Sequence, residues 1–186
     1  MISSSVFLQA IDASWTLFLD RDGVINKRIY DGYATKTEEF ILLDKVKESF
    51  QILRKIFGKI IVVTNQQGIG KGIMTEDDLV VVHDYMIKEL DYAINKVYYS
   101  PHLANENHRM RKPNIGMALQ AKQDFPGIDF TKAIMVGDSY TDILFGQNAG
   151  MKTVWVNEEN NTRIQADIQV KSLYDFALLL EQQRKH

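Results

Sequence analysis

Short apolar runs alternate with amphipathic stretches along the chain. Thr16–Asp20 (TLFLD), Lys59–Asn65 (KIIVVTN), Lys96–Ser100 (KVYYS), Ala133–Asp138 (AIMVGD) and Lys152–Asn157 (KTVWVN) have the length and residue types of buried strands. Pro101 stops the third, and Ala166–Val170 adds a short edge strand. Between them the period changes. In Asp44–Phe57 the apolar positions Val46, Phe50, Leu53 and Phe57 fall on one helical face, and Gly58 follows as a stop. Thr75–Asn95 opens on Thr75-x-x-Asp78, a capping-box pattern, and Leu79, Val82, His83, Met86 and Leu90 share a face. Gly116–Phe125, Thr141–Ala149 and Ser172–Gln183 read as further helices.

This alternation predicts an α/β fold, a mostly parallel sheet with helices on both faces in a three-layer α/β/α sandwich. In such sheets ligands bind beyond the carboxyl ends of the strands. The residues that follow the apolar runs therefore matter most: Asp20-Arg21-Asp22-Gly23, Thr64-Asn65-Gln66, Ser100-Pro101-His102 and Gly137-Asp138-Ser139.

Composition narrows the classes. The length of 186 residues suits one domain, at roughly 150 residues per domain. A net charge of −2 offers no electrostatic footprint for nucleic acid or a membrane surface. With no cysteine there is no disulfide, thiolate nucleophile or cysteine-held metal, which fits a cytoplasmic protein. Met1–Ala10 lacks a basic n-region and does not read as a signal peptide. The purest apolar runs, Ile60–Val63 and Leu79–Val82, are too short to span a bilayer.

The candidate chemistry is that of phosphate and a hard cation. Asp20 and Asp22, held together past a strand, repel unless a cation sits between them. Magnesium favours a few carboxylates plus phosphate oxygens. Asp138 and Asp142 add acids at another strand end, with Ser139 between them. Thr64, Asn65 and the glycine-bearing loop Gln66–Gly72 offer a hydroxyl, an amide and backbone N–H groups to an anion. Arg111-Lys112 adds positive charge.

With these residues the chain resembles the phosphatases of the haloacid dehalogenase (HAD) superfamily. Four motifs appear in that family's order: LFLDRDGVIN (Leu17–Asn26), VVTNQQGIGKG (Val62–Gly72), RKPNIGM (Arg111–Met117) and VGDSYTDI (Val136–Ile143). The phrases DRDGVIN, YY-x-PH (Tyr98–His102) and RKP are similar to the heptose-bisphosphate and histidinol-phosphate phosphatase branch. The resemblance implies a Rossmann-like core over about residues 16–157 with no large cap domain; Lys27–Phe40, with its Asp31-Gly32 turn, is expected to form a small flap. It also implies a magnesium-dependent phosphomonoesterase acting on a small metabolite, with a sugar bisphosphate as first choice. Histidinol phosphate and a catalytically silent binding domain are the alternatives.

By the same resemblance Asp20 is the nucleophile and Asp22 the general acid and base, while Thr64 and Lys112 hold the phosphoryl oxygens. Asp20, Asp138 and the Asp22 carbonyl hold magnesium, Ser139 and Asp142 support the site, and Asn65 and Arg111 contact substrate. Many relatives in this branch hold a structural zinc on Cys-x-His and a later Cys-x-Cys just before RKP. Here those positions are Ser100, His102, His108 and Met110, and Ser and Met are poor zinc ligands, so no zinc is expected. His83 reads as a packing residue and Lys71 as solvated. The oligomeric state is open.

Overall fold

The computed structural model describes residues 4–157 and 165–184. Six strands form one sheet: β1 (Thr16–Leu19), β2 (Lys59–Asn65), β3 (Lys96–Ser100), β4 (Ala133–Gly137), β5 (Lys152–Val156) and β6 (Ile168–Val170). Their order is β3-β2-β1-β4-β5-β6 and every pairing is parallel. The helices are α1 (Ser4–Gln9), α2 (Val46–Leu53), α3 (Glu76–Glu89), α4 (Gly116–Asp124), α5 (Tyr140–Ala149) and α6 (Leu173–Gln183).

Alternation within the strands builds the two cores. Leu17 and Leu19 of β1 join Ile60, Val62, Ile134 and Val136 beneath α2, α3 and α6. Phe18 points the other way, with Ile61, Val63 and Met135, onto Met117, Ala118 and Ala121 of α4 and Phe145 of α5. This is a Rossmann-like three-layer sandwich. Among the described residues, no helix is long and apolar enough to cross a membrane.

Strand order positions the site. The chain steps outward from β1 through β2 to β3, returns to β4, and steps outward the other way through β5 to β6. The direction reverses between β1 and β4, and the two crossovers diverge there to leave a crevice beyond the strand ends. Asp20 follows β1 and Asp138 follows β4.

Two helices are shorter than their periodicity implies. Helix α2 is entered through Lys45 at φ 54°, and it loosens into turns after Leu53 so that the Gly58 N–H can bond Trp15 O (3.1 Å). Helix α3 stops before Asp91 and Tyr92, both at positive φ (51° and 54°). That reversal brings Asn95 Oδ1 to the Ile60 N–H (2.7 Å) and feeds β3. At its start, Thr75 Oγ1 accepts from the Asp78 N–H (3.1 Å), and the Thr75 N–H donates to Asp78 Oδ2 (2.8 Å), closing the capping box.

Residues 27–40 carry no paired strands. Asp31 takes the left-handed turn conformation (φ 58°), Thr37–Glu39 is a single 3₁₀ turn, and the isolated bridge Asn26–Leu42 closes the excursion.

Candidate active site

A cleft of about 450 Å³ opens at the carboxyl end of the sheet, lined by Asp20, Asp22, Thr64, Asn65, Arg111, Lys112, Ser139 and Asp142. Arg28, Tyr33 and other residues of the 28–34 stretch form its opposite wall.

Lys112 organises the floor. Its ammonium donates to Asp20 Oδ1 (2.8 Å) and Val63 O (2.7 Å) and lies 2.6 Å from Asp142 Oδ1. Burial alone would weaken its charge, but Asp142 and Asp20 together hold the pKa above the ordinary lysine value. Its backbone is clamped to β2: Asn65 Oδ1 accepts from the Lys112 N–H (3.0 Å) and Asn65 Nδ2 donates to Lys112 O (3.2 Å). The side chain expected to meet substrate is thus engaged in placing Lys112.

Asp142 is committed twice. Its Oδ2 accepts from the Ser139 N–H (3.0 Å) and hydroxyl (2.6 Å), capping α5, while its Oδ1 faces Lys112. Gly137 is required beneath it, since a Cβ there would lie 2.1 Å from Asp142 Cβ.

The β1 loop sets the two acids apart. Asp20 is buried on the floor, and its N–H bonds Val136 O across the sheet (2.9 Å). Asp22 accepts from Arg21 Nη2 at both oxygens (3.0 and 3.0 Å), from Asn26 Nδ2 (2.9 Å) and from Gln66 Nε2 (2.8 Å). Burial pushes this carboxyl up, but Arg21 and these amide donors hold it below the usual carboxylate range. Asp20 shifts the other way: burial first, then repulsion from Asp142, raises it against the pull of Lys112. Gly23 turns the loop at φ 93°, and a Cβ there would meet Asp138 Oδ2 at 1.9 Å.

Oxygens of Asp20, Asp138 and Asp142 lie within 4.8 Å of one another. Burial raises Asp138, and the neighbouring Arg28 only partly offsets it. This oxygen-only donor set suits a hard divalent cation. The positive groups on it here are Lys112, seated on Asp20 and Asp142, and Arg28. Arg28 Nη2 donates to Asp138 Oδ1 (2.6 Å) and Asp22 O (3.1 Å) and lies 3.9 Å from Asp20 Oδ2.

Three participants carried no role in the motif reading. Arg28 lies in the expected flap and reaches Asp138 across 110 positions of sequence. Gln66 Nε2 ties Asp22 to Thr64 Oγ1 (2.8 Å), and its place beside Thr64-Asn65 was the available signal. His83, on α3, accepts at Nε2 from Arg21 Nη1 (3.1 Å). Lys71 is exposed at the cleft mouth, 5.6 Å above the Tyr33 ring. Arg111 donates to His102 O (2.9 Å) at the rim. The His102 and His108 rings stack at 3.3 Å, with His102 Nδ1 3.1 Å from Glu106 Oε2 and His108 Nδ1 accepting from the Met110 N–H.

An acid nested among donors, a second acid beside a buried lysine, and a cluster of carboxylate oxygens share one cleft at the switch point. Residues 109–175 match the family model described as HAD-hydrolase-like. The chain belongs to the HAD hydrolases, in the branch whose curated members are phosphatases. It is 41% identical over 150 residues to the D-glycero-alpha-D-manno-heptose-1,7-bisphosphate 7-phosphatase of Campylobacter jejuni, covering 77% of this chain and 83% of that one. It is 35% identical over 165 residues to the D-glycero-D-manno-heptose-1,7-bisphosphate 7-phosphatase of Chlorobaculum tepidum, covering 81% and 82%. The same fold appears in the D,D-heptose 1,7-bisphosphate phosphatase of B. bronchiseptica, solved with magnesium and phosphate (TM-score 0.81, 23% identity, 90% and 98% covered).

Proposed function

We propose that this phosphatase hydrolyses a sugar bisphosphate of the heptose type, with magnesium, through a phosphorylated Asp20. The observation that carries the reading is the Lys112 ammonium seated between Asp20 and Asp142, with Asp22 two residues from Asp20 on the same loop. An incoming phosphoryl group meets a nucleophile, a buried cation and the Thr64 hydroxyl together.

In the first step an Asp20 oxygen bonds to phosphorus, the ester P–O bond breaks, and Asp22 gives its proton to the leaving alkoxide. Arg21 and the amide donors hold Asp22 ionised in the free site, so on this reading its proton arrives with the substrate, whose anionic charge opposes that lowering. In the second step water attacks the same phosphorus, Asp22 takes its proton, and the Asp20 carboxylate is restored. Asp20, Asp138 and the Asp22 carbonyl would hold magnesium, which supplies charge neutralisation for the phosphoryl oxygens. Asn65 serves by holding Lys112. Ser139 and Asp142 orient the Lys112 ammonium.

The substrate class is supported by the names of the curated relatives and by the rim. Lys71 and Arg111 border the cleft and form no carboxylate ion pair among the described residues, so a second anionic group has cations to meet. We read the chain as one cytoplasmic domain, with residues 27–40 as its flap and no nucleic-acid or membrane partner. We also propose that it carries no zinc, because Ser100 and Met110, the companions of His102 and His108 at these positions, are poor zinc ligands. One zinc per chain by elemental analysis would reverse that.

The test is a panel of sugar mono- and bisphosphates plus histidinol phosphate, ranked by kcat/KM with and without magnesium. The expected leader is a heptose 1,7-bisphosphate. Preference for histidinol phosphate would move the enzyme to the other arm of its branch, and no turnover of any ester would mark a silent binding domain.

A further inference from the structure

His83 is nearly buried on α3, 62 positions from Arg21, and its Nε2 accepts from Arg21 Nη1 at 3.1 Å. The guanidinium is itself buried and pairs through Nη2 with both oxygens of Asp22 (3.0 Å each). Asp22 is its sole carboxylate partner among the described residues. The surroundings are aromatic: the Phe40 ring centroid lies 5.8 Å from the guanidinium carbon, and the Tyr99 ring lies 6.2 Å from the imidazole. Each buried guanidinium N–H left unmatched costs about 1–3 kcal/mol, and Arg21 Nε already has no acceptor, so the bonds at Nη1 and Nη2 alone hold the group. Two of its sides are thus spoken for, one by Asp22 and one by His83.

We propose that His83 is a positioning residue for the reaction: its Nε2 fixes the plane of Arg21, and Arg21 fixes the Asp22 carboxylate in the orientation from which it protonates the leaving group. This rests on the acid–base role given to Asp22 above. The ring must accept at Nε2, so its hydrogen resides on Nδ1. Burial and the charge of Arg21 push the His83 pKa down to about 3, so the ring stays an acceptor near neutrality. A packing residue of equal size would fill the space but leave Arg21 Nη1 unheld.

Leaving groups provide the discriminating measurement. An alkoxide needs a proton as the P–O bond breaks, whereas p-nitrophenolate leaves without one. His83→Leu is expected to lower kcat/KM for the best sugar phosphate of the panel by about 10- to 100-fold, the scale of a misplaced acid. For p-nitrophenyl phosphate the loss should be under about threefold on the same argument. His83→Gln, whose carbonyl oxygen can accept from Arg21, should restore most of the ratio between the two esters. If the leucine variant does not fold, His83→Asn, one methylene shorter than glutamine, takes its place. Equal losses on both esters, or a glutamine variant no better than leucine or asparagine, would overturn the proposal.

A second readout does not depend on turnover. In ¹⁵N spectra of the wild-type protein the His83 ring should be neutral with Nδ1 protonated, and a protonated Nε2 would overturn the assignment. A wild type without magnesium-dependent turnover of either ester would remove the phosphatase reading and this inference together. An active wild type whose ester ratio survives His83→Leu would remove this inference alone.

Discussion

Arg28 Nη2 touches the carboxylate of Asp138 and the carbonyl of Asp22, and it approaches the carboxylate of Asp20. These are the oxygens proposed for magnesium, so guanidinium and metal compete for one set of acceptors. Asp138 and Asp20, in turn, raise the Arg28 pKa against the effect of its burial. Removing the guanidinium frees these oxygens and takes a competing positive charge from the site. Arg28→Gln is therefore expected to tighten Mn²⁺ binding, followed by electron paramagnetic resonance, by about fivefold or about 1 kcal/mol. It should also lower the metal-free melting temperature by a few degrees, roughly the shift that 1 kcal/mol produces. Unchanged affinity would mean that Arg28 is clear of the cation's oxygens in solution. The two acids of the β1 loop separate by role. Asp20→Asn should abolish phosphoenzyme formation and cost about three orders of magnitude or more in turnover. Asp22→Asn should cost about two to four orders, most for alkyl esters.

At the scale of elements, the entry to α5 joins fold and chemistry. Ser139 is the N-cap, and the Asp142 oxygen that closes the cap belongs to the carboxylate facing Lys112. Ser139→Ala removes one hydrogen bond from that carboxylate. It should cost about 1 kcal/mol in urea unfolding, the usual net worth of one hydrogen bond, together with a loss of turnover. A stability loss with kcat/KM intact would show that Asp142 needs no help from its cap. What could be read beforehand divides along the same line. Asp20, Asp138 and Thr64 stand at the ends of apolar runs, so the run itself announces them, and strand–helix alternation carries them to one rim. Helix ends were less legible because the reversal at Asp91-Tyr92 is set by where β3 must start, not by the period of α3. Helix α1 is six residues long, too short to display a period. The roles of Arg28 and His83 depend on partners 110 and 62 positions away, and no local pattern encodes such a meeting.

For the whole molecule, the buried imidazole ties the site to acid stability. Burial first, and the charge of Arg21 second, lower the His83 pKa from 6.5 to about 3 in the folded chain. Below about pH 6.5 the unfolded chain binds a proton that the folded chain refuses until about pH 3. Stability rises with pH wherever the unfolded state binds more protons, so His83 makes the fold lose stability as pH falls through that window. The slope contributed by one such group reaches about 1.4 kcal/mol per pH unit. Urea midpoints across the window should therefore fall less steeply for His83→Gln than for the wild type, although the variant can be the less stable of the two near neutrality. Parallel profiles would mean that the folded ring titrates as an ordinary histidine, with Arg21 Nη1 then lacking its acceptor at acid pH. The same imidazole proposed to hold Asp22 in place thus imposes an acid limit on the fold: keeping His83 an acceptor requires burial, and burial is what makes protonation favour the unfolded chain.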